Sequence, residues 1–106
     1  MNREIKFRAW DKRINLFHYW DFSIQMFDNT FWNIVKQEKC PTMQFTGLKD
    51  KNNKDIYEGD KTVDGFIEFN VDTCCYIIRR VNRTFIRLDI KKDNIEIIGN
   101  IYETIK

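Results

Sequence analysis

In "EIKFRAW", residues 4–10, Ile5, Phe7 and Ala9 fall on one side of an extended backbone, and Glu4, Lys6 and Arg8 fall on the other. A period of two is the geometry of a half-buried strand, because successive side chains of a strand point to opposite faces of its sheet. No long segment repeats apolar residues cleanly at helical spacing. The alternation therefore predicts an all-β, mainly antiparallel fold, with at most a short helix around residues 31–38.

Turn chemistry sets the expected strand boundaries. Asp11 to Asn15 predict a turn before "LFHYW", and Asp28-Asn29 separates "SIQMF" from "FWNIVKQ". Pro41, the sole proline, cannot donate to a ladder and marks a boundary. Asn52-Asn53 and Asp64-Gly65 each predict a tight hairpin, the second setting Val63 opposite Phe66 and Lys61 opposite Glu68. Asn82-Arg83 and Asp93-Asn94 punctuate two further strands, and "IEIIGNIYE" reads as a closing strand with Gly99 a bend or bulge. A chain of 106 residues supports one core better than two. We expect one domain over residues 1–106, with sub-lobes 1–40 and 41–106 as its internal division.

The charge balance narrows the function classes. A net charge of +2 is too small to argue for nucleic acid, so any basic patch must arise from local arrangement. No apolar run approaches the roughly 20 residues needed to span a bilayer. The N-terminal segment lacks the continuous apolar region of a secretion signal, and we expect a cytoplasmic protein that does not engage membranes. Cys40, Cys74 and Cys75 lack metal-site spacing, so reduced, packed or idle thiols are expected even with His18 counted as a fourth ligand. No metal or other cofactor is inferred.

The charged stretch "MQFTGLKDKNNKDIYEGD", residues 43–60, has the look of an ion-binding loop and fails as one. Counted from Asp50, a helix-loop-helix calcium site would place Lys54 and Lys61 where oxygen ligands belong, and Asp55 where glycine belongs. With "IKFRAWD" at 5–11 and "EIIGNIYE" at 96–103, the stretch instead resembles the three signature blocks of the YopX-like family of phage and prophage proteins. Asn52-Asn53 stands where relatives usually carry Asn-Gly, and Lys61-Thr62 stands where they continue with an apolar pair. The resemblance implies a largely β architecture with a small SH3-like barrel in the second half, and it carries over no catalytic residues.

Several constellations carry residue types suited to chemistry. Asp50, Asp55, Glu58, Asp60 and Asp64 crowd one region, but Lys49, Lys51, Lys54 and Lys61 intersperse them as on a solvated hairpin. Asp72 with "DIK" at 89–91, or "EIK" at 4–6, fits the acid and acid-x-Lys pattern of a metal-dependent nuclease, a pattern that also arises by chance in so charged a chain. His18 has no orienting partner nearby in the sequence.

The strongest binding signal is the hairpin "CCYIIRRVNRTFIRLD". Pairing Val81 with Thr84 puts Tyr76, Ile78, Arg80, Phe85, Arg87 and Asp89 on one face. Cys75, Ile77, Ile86, Leu88 and Ile90 fall on the other, with Arg79 the exception there. Tyr76, Arg80, Arg83, Phe85 and Arg87 are the expected binding residues. Such a face suits a protein interface, and it equally suits phosphate contact with base stacking. The expected function is a non-enzymatic phage or prophage accessory protein that binds another protein, such as a host or defence factor, or itself. The alternatives are a nucleic-acid module using residues 76–89 and a small metal-dependent nuclease or hydrolase. No small-molecule substrate is inferred.

Overall fold

The computed structural model describes residues 4–25, 28–80, 82, 84–91 and 94–102, with only the backbone of residues 90 and 91. Two antiparallel sheets make up the fold. The first has the order β2-β1-β3-β4, with β1 Lys6–Asp11, β2 Leu16–Asp21, β3 Thr42–Lys49 and β4 Asp55–Tyr57. The second is a five-stranded half-barrel of order β8-β7-β6-β5-β9. Its strands are β5 Asp60–Lys61, β6 Phe66–Asn70, β7 Cys75–Arg79, β8 Phe85–Arg87 and β9 Gly99–Asn100. The expected all-β class holds. Because β3 pairs with β1, the segments 1–40 and 41–106 share the first sheet.

The anticipated short helix is α2, Thr30–Glu38, and single turns occur at α1 Phe22–Gln25 and α3 Leu88–Lys91. α2 ends in a left-handed Lys39 whose following residue, Cys40, donates its N–H back to the Val35 carbonyl. The apolar face of β1 packs where the alternation places it, with Ala9 joining Trp20, Phe31 and Cys40 in one core, and Phe7 and Trp32 beside it. The other face of β1 is not a solvated one. Arg8 is buried there, with Trp10, Phe17 and Tyr19 as neighbours on the same side of the β1–β2 ladder. The second core gathers Ile56, Ile67, Ile78, Leu88 and Ile95 inside the half-barrel.

The turns at 12–15 and 50–54 form as expected, with positive φ at Asn15 and Asn53. The second is a three-residue loop closed by the Asp50–Lys54 backbone pair rather than a two-residue Asn52-Asn53 turn. The Asp64-Gly65 register is corrected. Thr62 and Gly65 close that turn and Lys61 faces Phe66, because the Thr62 hydroxyl accepts the Asp64 and Gly65 N–H groups and centres the turn on Val63-Asp64. The β7–β8 register is also one residue from the expectation. Arg79 faces Phe85 and Ile78 faces Ile86, with Arg80 N–H bonded to the Thr84 carbonyl across a three-residue connection. Val81, Arg83, Asp93 and Glu103 lie outside the described residues. "IEIIGNIYE" contributes only the two-residue strand β9, within which Gly99 pairs regularly with Lys61.

The three signature blocks meet in space. Asp60 pairs with Asn100, Gly59 accepts the Ile101 N–H, and Trp10 stacks on Tyr102 at 5.4 Å and 8°. Asp50 Oδ2 accepts the Ile97 N–H at 3.0 Å while Oδ1 accepts the N–H groups of Asn52 and Lys54.

Gly65, at φ +152, comes so close to β7 that a Cβ there would lie 2.0 Å from the Arg79 carbonyl oxygen. Gly65→Ala should therefore destabilise the protein by about 2 kcal/mol or more. Urea unfolding checks this, and a change inside about 0.5 kcal/mol would show that β7 yields to the methyl group.

Candidate functional site

The predicted binding face does not assemble. With the corrected register, Phe85 and Arg87 share one face of the half-barrel with Arg79, expected on the opposite face. Arg79 lies over the Phe85 ring at 5.5 Å and is ion-paired with Glu68, while Arg87 bonds Asp89 at 2.7 Å. Tyr76 belongs to the opposite, core-facing side, where it packs on the Ile56–Ile78 cluster and edge-on to Phe69 at 5.2 Å. Arg80 is half-buried at the end of β7. Arg83 lies outside the described residues.

The geometry that does assemble is the junction of the sheets. Arg8 Nη2 lies 2.8 Å from Asp60 Oδ1 and donates to the Glu58 carbonyl at 3.0 Å, with the Phe17 and Tyr57 rings 4.1 and 4.9 Å from the guanidinium. Asp60 Oδ2 accepts the Tyr57 N–H at 2.8 Å. Burial pushes the Asp60 carboxyl up from its ordinary value, against the Arg8 charge and the Tyr57 amide that favour its ionised form. Arg8 Nε is buried and has no acceptor among the described residues.

Two concave surfaces flank this junction. On one side is a largely apolar groove of about 340 Å³ with Met43, Gly59, Phe66, Ile67 and Ile101 in its walls and Glu58, Glu68 and Arg79 at its edge. Phe66 and Ile101 in its wall are 38 and 48% exposed, and Phe85, 42% exposed, lies under Arg79 beside its edge. On the other side is a polar cavity of about 400 Å³ lined by Arg8, Tyr19, Lys49, Asn53, Lys54, Asp55 and Tyr57. Burial works against the charge of Asp55, but hydrogen bonds from Lys6 and Lys49 still hold its carboxyl below the ordinary value. Burial, followed by the Asp55 charge, pushes the Tyr57 phenol up to about 12, so it stays a neutral O–H donor.

Neither surface was visible in the sequence as a site. The usable signal was the alternation in "KFRAW", whose supposedly solvated side carries Arg8 beside an aromatic.

His18 does have a partner, contrary to its sequence setting. Nε2 lies 2.9 Å from Asp11 Oδ2, and Arg13 engages the same carboxylate. The adjoining core holds Cys40, whose thiol is pushed up by burial and then by Asp11, the reverse of what an activated nucleophile needs. Among the described residues no three His, Cys, Asp or Glu side chains group as metal ligands. Asp72 sits in the exposed turn between β6 and β7, Asp89 is held by Arg87, and Glu4 by Lys6 at 2.8 Å. Among the described residues no helix is long and apolar enough to cross a membrane.

A family model described as YopX protein matches residues 6–106. No curated protein matches the chain significantly.

Removing one partner of a buried ion pair strands the other charge, so Asp60→Ala should cost about 3 kcal/mol or more in urea unfolding. The double variant Arg8→Met with Asp60→Leu should recover much of that loss, since it buries no unpaired charge. A double variant as unstable as the sum of its singles would mean that packing of the guanidinium between its rings dominates.

Asp11 is held well below the ordinary carboxylate range, by the Arg13 guanidinium first and His18 second. Its contribution to stability is then complete above the unfolded carboxyl's value of about 3.9 and is lost as pH falls further. Asp11→Asn should unfold more easily than the parent at neutral pH, and the gap should narrow progressively as pH falls below about 4. Denaturant midpoints across that range measure it, and a constant gap would remove the charge from the explanation.

Proposed function

Because the chain belongs to the YopX family, we propose that it is a non-enzymatic phage or prophage accessory protein that works by binding another protein. The observation that carries this reading is the apolar groove between the sheets. A contiguous apolar surface on a small protein costs solubility unless something covers it, and such patches mark interaction sites. Phe66, Phe85 and Ile101 supply the exposed apolar area, and Arg79 over Phe85 supplies the Arg and aromatic combination enriched at interface centres. Glu68 already neutralises Arg79, so the groove suits a partner that inserts an apolar side chain rather than one that brings a charge.

The proposed partner is a host protein, a defence factor among the candidates, and a second copy of the chain is the competing occupant. The two are separated by affinity capture from infected host cells, followed by sizing of the purified protein alone and in complex. Phe66→Ala and Phe85→Ala should each weaken the captured complex by about 2 kcal/mol, roughly thirtyfold, while melting moves little because both rings are partly exposed. A dimer of the purified chain that the same substitutions dissolve would make the partner another copy. Complexes and oligomeric state untouched by both substitutions would move the interface away from the groove.

A further inference from the structure

We propose that the polar cavity beside Arg8 binds a nucleotide, taking the phosphate against its cations and the planar ring against Tyr19. Its volume of about 400 Å³ lies within the range of small-ligand sites. The walls bring Lys49 and Lys54 against one carboxylate, Asp55, while Arg8, also in the wall, is already paired with Asp60. Asp55 is already occupied by Lys6 at 3.0 Å and Lys49 at 3.1 Å, so it adds little repulsion toward an incoming anion. Lys54 forms no ion pair among the described residues, so its exposed ammonium is the cation left to meet a phosphate.

The aromatic half of the recognition is also present. The Tyr19 and Tyr57 rings meet edge to face at 5.9 Å and 69°, and Tyr19 is more than half exposed, which leaves ring surface free for stacking. The exposed ammonium groups supply the phosphate contacts. This pairing of phosphate and ring comes equally from a free nucleotide or from one nucleotide of a single strand.

The experiment is an NMR titration of the full chain with adenosine monophosphate, with a short oligothymidine, and with inorganic phosphate. We expect saturable shifts at the amides of Tyr19, Lys54 and Tyr57 with the first two, and weaker ones with phosphate alone. Lys54→Ala and Tyr19→Ala should each weaken binding about tenfold. Lys12→Ala, in the distant β1–β2 turn, should leave it unchanged. Both tested side chains are exposed, so unchanged melting will show that each variant folds. If the oligonucleotide binds more tightly than the mononucleotide and loses that advantage steeply as salt rises, the source is a strand; equal affinity per nucleotide assigns it to the free form. No saturable shift at these residues with any of the probes, or binding indifferent to both substitutions, overturns the proposal.

Discussion

The ion pair between Arg8 and Asp60 is the contact around which the two sheets are organised. Both groups are nearly inaccessible, at 5 and 2% exposure, so each has given up its water. Desolvation on that scale is compensated only by tight geometry and further polar contacts, and here the Glu58 carbonyl, the Tyr57 amide and two aromatic rings supply them. The pair fixes the second face of β1 against the Tyr57–Asp60 segment where the chain passes from the first sheet to the second. The apolar groove and the polar cavity are therefore the two sides of one seam. Glu58 and Gly59 face the groove, while Arg8 and Tyr57 face the cavity.

Much of the fold was legible because its signals are local. The period of two in "KFRAW", the asparagines with positive φ and the helix at Thr30–Glu38 each depend on a few neighbouring residues. The partner of Arg8 lies more than 50 residues away, and nothing in the alternation shows that a guanidinium on the polar side will be buried. Register failed for a related reason. The Thr62 hydroxyl, rather than the Asp-Gly dipeptide, centres one turn, and a shift of one residue moves Tyr76 away from Phe85 and Arg87. The predicted binding set depended wholly on that register, so it was divided between faces.

The charged stretch that suggested an ion site serves the backbone instead. Asp50 holds its charge although burial opposes it, because the N–H groups of Ile97, Lys54 and Asn52 all point at its carboxylate. One side chain thus closes a hairpin and ties it to the segment that leads into β9. At Asp50, then, the family signature records architecture.

The stacking of Trp10 on Tyr102 and the pairing of Asp60 with Asn100 also bear on how the chain reaches this state. On a ribosome, β1 and β2 emerge early, but the Trp10 and Phe17 end of the aromatic side stays uncovered until residues near 100 have cleared the exit tunnel. Closure waits on contacts of long sequence separation, the kind that slow folding, and during that interval the nascent protein exposes Trp10 and Phe17 to whatever chaperones or neighbouring chains are at hand.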